Sequence, residues 1–277
     1  MKKLVLLMAC VALFASCKFQ DADDFIKYRS AKVTVTCTGN IEEQTKEIKG
    51  AYDEIEVYDD INVVVTNEVS EPTIVADEAL MEHIVLMVQE KSLLVAYKSP
   101  IKMEGPSSSP IVKLPELGKV NSVELNGESK FYCGTPIEGD YFELSQSGAS
   151  YAKVDASKVK NTLEVDMSGA SEATIVCNAK QLEFEMSGAC YADLSGETEH
   201  FELNMSGASR LESTLNENVY GFSAKVAEID LSGSSKVEFN CVEKMEVDAS
   251  GNTEIKYSGA PVLTQEVSGS ASVESIQ

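Results

Sequence analysis

From Asn121 onward apolar and polar positions alternate in short runs, and the runs restart at a series of glycines: Gly127, Gly148, Gly169, Gly188, Gly207, Gly233, Gly251 and Gly269. The spacings are 21, 21, 19, 19, 26, 18 and 18 residues, a range that points to a solenoid. Two residues before each glycine stand Leu125, Gln146, Met167, Met186, Met205, Leu231, Ala249 and Val267; four after stand Phe131, Ala152, Ala173, Ala192, Leu211, Val237, Ile255 and Val273. Even offsets are mostly apolar or small, and odd offsets are polar. Successive side chains of a strand point to opposite faces, so each repeat predicts two strands with the glycine turning the corner between them. Helical repeats lack this period of two and this share of β-branched residues. The 18-residue period leaves a third, short side. The predicted fold is all-β, a single-stranded parallel β-helix with three-sided coils of 18 to 21 residues.

Just before the glycine stands Asn126 once and serine seven times, from Ser147 to Ser268. Hydroxyls suit a tight corner and can bond from coil to coil. Ser150 and Lys153 have a spacing used by some acylating enzymes, but this register turns them to opposite faces. His83 and His200 belong to no recognisable triad. Catalysis has no candidate residue here. Cys37, Cys133, Cys177, Cys190 and Cys241 form no CxxC pair, and Cys133 and Cys190 fall at inward offsets, as core fillers would.

The outward offsets carry charge. Five residues before the glycine, Glu143, Glu164, Glu183, Glu202, Glu228 and Glu246 stand in one column over six consecutive repeats. Asp166, Glu185, Asp230 and Asp248 lie two positions along the same strands. These six glutamates are the candidate metal ligands, for a weakly held divalent cation such as Ca²⁺, since hard cations prefer oxygen. A solubilising face is the competing reading. Three residues after the glycine the ladder is mixed, with Lys130, Tyr151, Glu172, Tyr191, Arg210, Lys236, Glu254 and Ser272, and can pair across coils. No other cofactor is expected.

Before the repeat, strands are expected at Lys32–Cys37, Ile55–Thr66, Thr73–Ala76, Ile84–Gln89 and Leu93–Tyr97, with a loop over 100–110. They read as a β-layer capping the first coil, since solenoid ends need caps.

The N-terminus adds an address. Lys2 and Lys3 precede an apolar run, Leu4 to Phe14, of secretory length and too short to span a bilayer. Phe14-Ala15-Ser16-Cys17 resembles a bacterial lipobox, which makes Cys17 the expected site of lipidation and the membrane a partner through that anchor. Asp21, Asp23 and Asp24 follow, either as an acidic tether or as an export tag to the outer leaflet. The net charge of −22 excludes nucleic acid as a partner. Glycan or another surface protein is the expected ligand class.

Gly50-Ala51-Tyr52-Asp53-Glu54-Ile55-Glu56-Val57, followed by Ile61-Asn62-Val63-Val64-Val65-Thr66, Lys113-Leu114-Pro115-Glu116-Leu117 and the Ser-Gly-x-Ser corners, resembles the family called putative autotransporter adhesin, head GIN domain. The likeness covers about residues 48–277 and implies a right-handed β-helix outside the cytoplasm with no established enzymatic activity. The expected division is a leader at 1–16, an acidic tether at 17–29, a capping β-section at 30–110 and the β-helix at 111–277. The expected function is a non-catalytic binding or adhesion module on an outer-membrane lipoprotein of a Gram-negative cell, displayed at the surface or facing the periplasm. A polysaccharide lyase or hydrolase and a purely structural surface component are the alternatives.

Overall fold

The computed structural model describes residues 29, 32–116, 119–216 and 219–276; the leader, Cys17 and the acidic tether as far as Tyr28 lie outside the described residues. The described chain is all-β, and its one helical element is the short 3-10 turn Met81–His83.

Two parallel ladders organise it. The first runs from Ser92–Tyr97 through Glu54–Val57, Ser122–Leu125, Glu138–Gln146, Lys158–Met167, Gln181–Met186, the second half of Tyr191–Met205, Phe222–Leu231 and the second half of Lys236–Ala249 to Val262–Val267. The second runs from Ile111–Leu114 through Asn62–Val65, Lys130–Cys133, Tyr151–Ala156, Glu172–Cys177, the first half of Tyr191–Met205, Arg210–Glu212 and the first half of Lys236–Ala249 to Glu254–Ser258 and Ser272–Ser275. Pairing is in register, so each residue sits on its counterpart one repeat away.

Register turns the period-two pattern into buried columns. Val123, Leu144, Val165, Phe184, Leu203, Ile229 and Val247 form one, each 3% exposed or less. Burial of such a side chain contributes about 1.5–3 kcal/mol, so the column is a large share of the stability. Phe201 meets Phe222 and Phe239 edge-on, with ring centroids 5.1 and 5.5 Å apart. The residue two after each corner glycine also faces inward: Ser129, Ser150, Ser171, Ser209 and Ser235 are buried in one file with Cys190 and Thr253. Ser209 and Ser235 return their hydroxyls to the carbonyls of Ser206 and Ser232. A small side chain that can bond its own turn fits where the backbone folds back on itself.

The corners stack through their peptides. Ala149, Ala170, Ala189 and Ala208 each donate a backbone N–H, at 2.7 Å, to the carbonyl of the corner glycine one repeat earlier. Gly188 has φ +96°, and a Cβ there would lie 2.5 Å from the Gly169 carbonyl oxygen. Both the backbone conformation and the neighbouring coil demand glycine.

The ladders begin before the first glycine. Asp59 (φ +71°) occupies the place of a corner glycine beneath Gly127, and its carboxylate accepts from the Tyr97 N–H at 3.1 Å and from Arg29 at 2.6 Å. Aspartate is among the few residues that adopt this conformation. Residues 54–65 therefore form two strands around a turn instead of one long strand. Antiparallel strands cover this end: Ile84–Gln89 pairs with Ser92–Tyr97, and Ile41–Thr45 pairs with Thr73–Asp77, which pairs with Ile111–Leu114. Two strands depart from the sequence reading. Ile101–Glu104 falls in the expected loop but pairs in parallel with Val33–Thr36, and Ile41–Thr45 is exposed throughout, so its pattern gave no apolar signal. The 26-residue spacing holds a small antiparallel hairpin, Thr214–Asn216 with Val219–Tyr220.

Candidate functional site

The in-register pairing sets Glu143, Glu164, Glu183, Glu202, Glu228 and Glu246 in one line on the outer face of the first ladder. Two residues along each strand runs a second line: Glu124, Ser145, Asp166, Glu185, Asn204, Asp230 and Asp248. Glu56 extends the second line by one coil below Glu124, and Glu54 stands in the first column below Ser122, which interrupts the glutamates. Spacing from glycines could not find them, because their corner is Asp59; the alternation of Glu54-Ile55-Glu56-Val57 was the available signal.

Like charges about 4.8 Å apart in water repel by roughly 0.9 kcal/mol. The structure answers this locally. The Tyr141 hydroxyl donates to Glu143 Oε2 at 3.1 Å and Glu164 Oε2 at 2.7 Å, Gln181 donates to Glu183 Oε1 at 2.8 Å, and Lys244 reaches Glu246 at 3.2 Å. Burial, together with these two carboxylates, pushes the Tyr141 phenol well up. Burial also raises Asp166, helped by Glu185, Glu164, Glu143 and Glu183, and raises Glu183, helped by Glu164, Glu202 and Glu185. Asp166 and Glu183 therefore hold their protons more tightly than free carboxylates do.

Among the described residues no three His, Cys, Asp or Glu side chains come together in a group that could hold a metal ion. The six glutamates expected to bind a divalent cation lie one strand spacing apart along a flat ladder. A chelate needs several oxygens 2.3–2.6 Å from one point.

Beside the second line runs a groove of about 570 Å³. One wall is Glu124, Ser145, Asp166, Glu185, Asn204 and Asp230; the other is the corner column Asn126, Ser147, Ser168, Ser187, Ser206 and Ser232. The corner side chains are partly satisfied within the fold: Ser147 Oγ donates to Asn126 Oδ1 at 2.6 Å, and Ser168 Oγ donates to the backbone carbonyl of Gln146 at 3.1 Å. All eight sequence-derived corner glycines have positive φ, between +72° and +96°. Four of the six coils along the groove set a carboxylate or amide beside a hydroxyl, at Asp166, Glu185, Asn204 and Asp230, and the first two are polar throughout, Glu124 beside Asn126 and Ser145 beside Ser147.

The opposite ladder is self-satisfied over much of its length. Lys236 pairs with Glu238 at 3.2 Å and Glu254 at 3.1 Å, Lys256 with Glu254 at 2.5 Å, and Arg210 with Glu212. Tyr191 donates to Glu212 at 2.7 Å; burial first, then this carboxylate, pushes its phenol up to about 12.

Ser150 is buried and Lys153 is exposed, so they form no acylating pair. Cys37, Cys133, Cys177, Cys190 and Cys241 are free and buried. Burial pushes the Cys177 and Cys241 thiols up to about 11, the opposite of a nucleophile's shift.

Solved structures share the fold at low identity. A putative adhesin from Parabacteroides merdae superposes with a TM-score of 0.72 at 18% identity, covering 88% of this chain and 99% of its own. A putative adhesin from Parabacteroides distasonis gives 0.74 at 16%, with 88% and 100% covered. A putative lipid binding protein from the same species gives 0.70 at 17%, with 88% and 100% covered. None of the curated proteins compared with the chain matches it. The model of the family described as putative auto-transporter adhesin, head GIN domain, matches residues 51–261, and the chain belongs to that family.

Proposed function

We propose that this protein is a non-catalytic, adhesion-type binding module, displayed at the cell surface by a lipid on Cys17. In this reading the two ladders are sides of a right-handed, three-sided β-helix, with the antiparallel strands of the front section as its cap. The groove along the serine corners is its ligand-binding surface. The observation that carries the reading is the unbroken run of polar pairs along that groove, since a linear chain of repeating units can meet hydrogen-bonding groups at each coil, among them the carboxylate–hydroxyl pairs Asp166 with Ser168, Glu185 with Ser187 and Asp230 with Ser232. Hydroxyls, amides and carboxylates suit a glycan's hydroxyl groups, and the charge of −22 favours neutral or cationic chains over acidic ones. Family membership and the putative adhesins among the structures that share the fold support a binding role.

One observation favours the alternative of a glycan-cleaving enzyme. Asp166 holds its proton above the usual range among other carboxylates, as a general acid would. Incubation of the purified protein with a glycan panel separates the readings. Retention on neutral or amino-sugar chains without new reducing ends supports the binding module; new reducing ends replace it with the enzyme. Metabolic labelling with a fatty-acid analogue, with a Cys17→Ala variant as control, tests the anchor.

A further inference from the structure

We propose that the step at which the coils shorten is a binding site for one anionic group, a sulfate ester carried by a sugar. It shares no residue with the groove and stands independently of what the groove binds. The corner spacing falls from 21 residues between Gly148 and Gly169 to 19 between Gly169 and Gly188. The pairing shows where those two residues go. Five residues, 157–161, join Ala156 on the second ladder to Thr162 on the first, whereas three, 178–180, join their partners Cys177 and Gln181. On its other side the longer connection is bulged: Lys160 and Asn161 oppose the single residue Asp140, between the pairs Gly139–Val159 and Tyr141–Thr162. A bulge re-aims side chains, and a step leaves space beside it. The hollow there measures about 670 Å³ and is lined by Lys158, Lys160, Asn161, Asn178 and Lys180, with Glu138 as the one carboxylate among its described lining residues.

What the hollow offers a ligand is almost entirely donors. Glu138 is spent on Lys158, whose hydrogen bond and charge hold the carboxyl below its usual range, with Lys160 adding to them. Asn161 Oδ1 accepts from Lys180 Nζ at 3.4 Å, and Asn178 Oδ1 accepts from the Glu197 N–H at 3.3 Å. With both amide oxygens engaged, the Nδ2 groups and the lysine ammonium groups remain, and these only donate. Lys160 and Lys180 have no carboxylate partner among the described residues, although the chain carries 45 acidic against 23 basic residues. The Lys180 N–H donates to the Lys160 carbonyl at 3.3 Å, so the two like charges stand on adjacent coils, an arrangement that an anion between them stabilises. A sulfate ester brings three oxygens to these donors where a carboxylate brings two, and charge-assisted bonds of this kind are the strong ones. Exposed Asp140, Glu197 and Glu199 stand around the hollow; they would repel a flat anionic membrane but leave room for one group inside it. The volume exceeds that of a lone oxyanion and accommodates the sugar ring that bears it.

Titration of ¹⁵N-labelled protein with N-acetylglucosamine 6-sulfate tests it, read from side-chain amide resonances. The Asn161 and Asn178 amides should shift and saturate. Unsulfated N-acetylglucosamine should leave them in place, whatever either sugar does to Asn126 and Asn204 in the groove. Lys160→Gln and Lys180→Gln should each raise the Kd by roughly five- to tenfold, while Lys256→Gln, which removes the same charge elsewhere on the second ladder, should not. Lys160 and Lys180 are exposed, so both variants should keep the parent melting temperature. Equal shifts by the unsulfated sugar, or an unchanged Kd in the double variant Lys160→Gln, Lys180→Gln, overturns the proposal. So does co-sedimentation with phosphatidylglycerol vesicles that the double variant loses, which would assign the site to a membrane.

Discussion

Replacing Gly188 with alanine probes the corner stack directly. Alanine at φ +96° costs about 1–3 kcal/mol in backbone strain. Its Cβ would also lie 2.5 Å from the Gly169 carbonyl oxygen, which the Ala189 N–H already holds at 2.7 Å. Relief requires the corner to move out of the stack, which weakens that hydrogen bond at about 1 kcal/mol more. The sum is about 2–4 kcal/mol. For a chain of this size each kcal/mol lowers the melting temperature by roughly 2–4 °C, so the expected drop is about 4–16 °C. Gly134 is the control: its φ is not positive, and the nearest atom a Cβ would meet is the Val65 carbonyl oxygen at 4.0 Å. Gly134→Ala should stay within about 0.5 kcal/mol of the parent. The assay is thermal unfolding followed by circular dichroism, with urea unfolding in parallel. Equal melting temperatures for parent, Gly188→Ala and Gly134→Ala would refute the steric account.

Three further outcomes follow from the charge pattern. Asp166 is raised in the folded state, so the fold binds more protons there than the unfolded chain and stability falls as pH rises through that window; Asp166→Asn should raise the melting temperature at pH 7 and flatten the dependence, as pH-dependent melting would show. At Asp77 burial pushes the carboxyl up, but backbone N–H groups of Ala79, Gly39 and Thr38 outweigh it and hold it below the usual range, so its stabilisation is present above the unfolded pKa and is lost as pH falls; Asp77→Asn should lower the melting point at pH 7 and make little difference in acid. The glutamate strip should respond to calcium only as to ionic strength, with melting curves in CaCl₂ and matched NaCl coinciding; a calcium excess abolished by Glu183→Gln with Glu202→Gln would restore the metal reading.

Much of the all-β body was legible because two short-range rules act together. Alternation fixes which residues face inward, and glycine marks where the backbone must take positive φ, so Leu144, Val165 and Phe184 could be placed in one column from spacing alone. The front section was less legible for physical reasons. Asp59 turns the corner without glycine, by spending its carboxylate on Tyr97 and Arg29. Ile41–Thr45 is held by backbone pairing with Thr73–Asp77 rather than by burial. The acidic columns were legible, since outward positions follow from inward ones. The groove was not, because the depth between two columns depends on how sharply the corner turns. Nor could sequence show Tyr141 bridging Glu143 on its own strand to Glu164 on the next coil, since the second contact exists only across coils.

The central claim is that the groove beside the serine corners binds a repeating chain without cleaving it. Its most direct test is a calorimetric titration of the best-retained glycan into the parent protein and into a Ser187→Lys, Ser206→Lys variant. Both positions line the groove and are exposed, so the two long side chains should fill it while leaving the melting temperature unchanged. The account predicts saturable heat with the parent, loss of that heat with the variant and intact glycan recovered from both. Equal binding by a folded variant, or recovery of shortened chains, would contradict it.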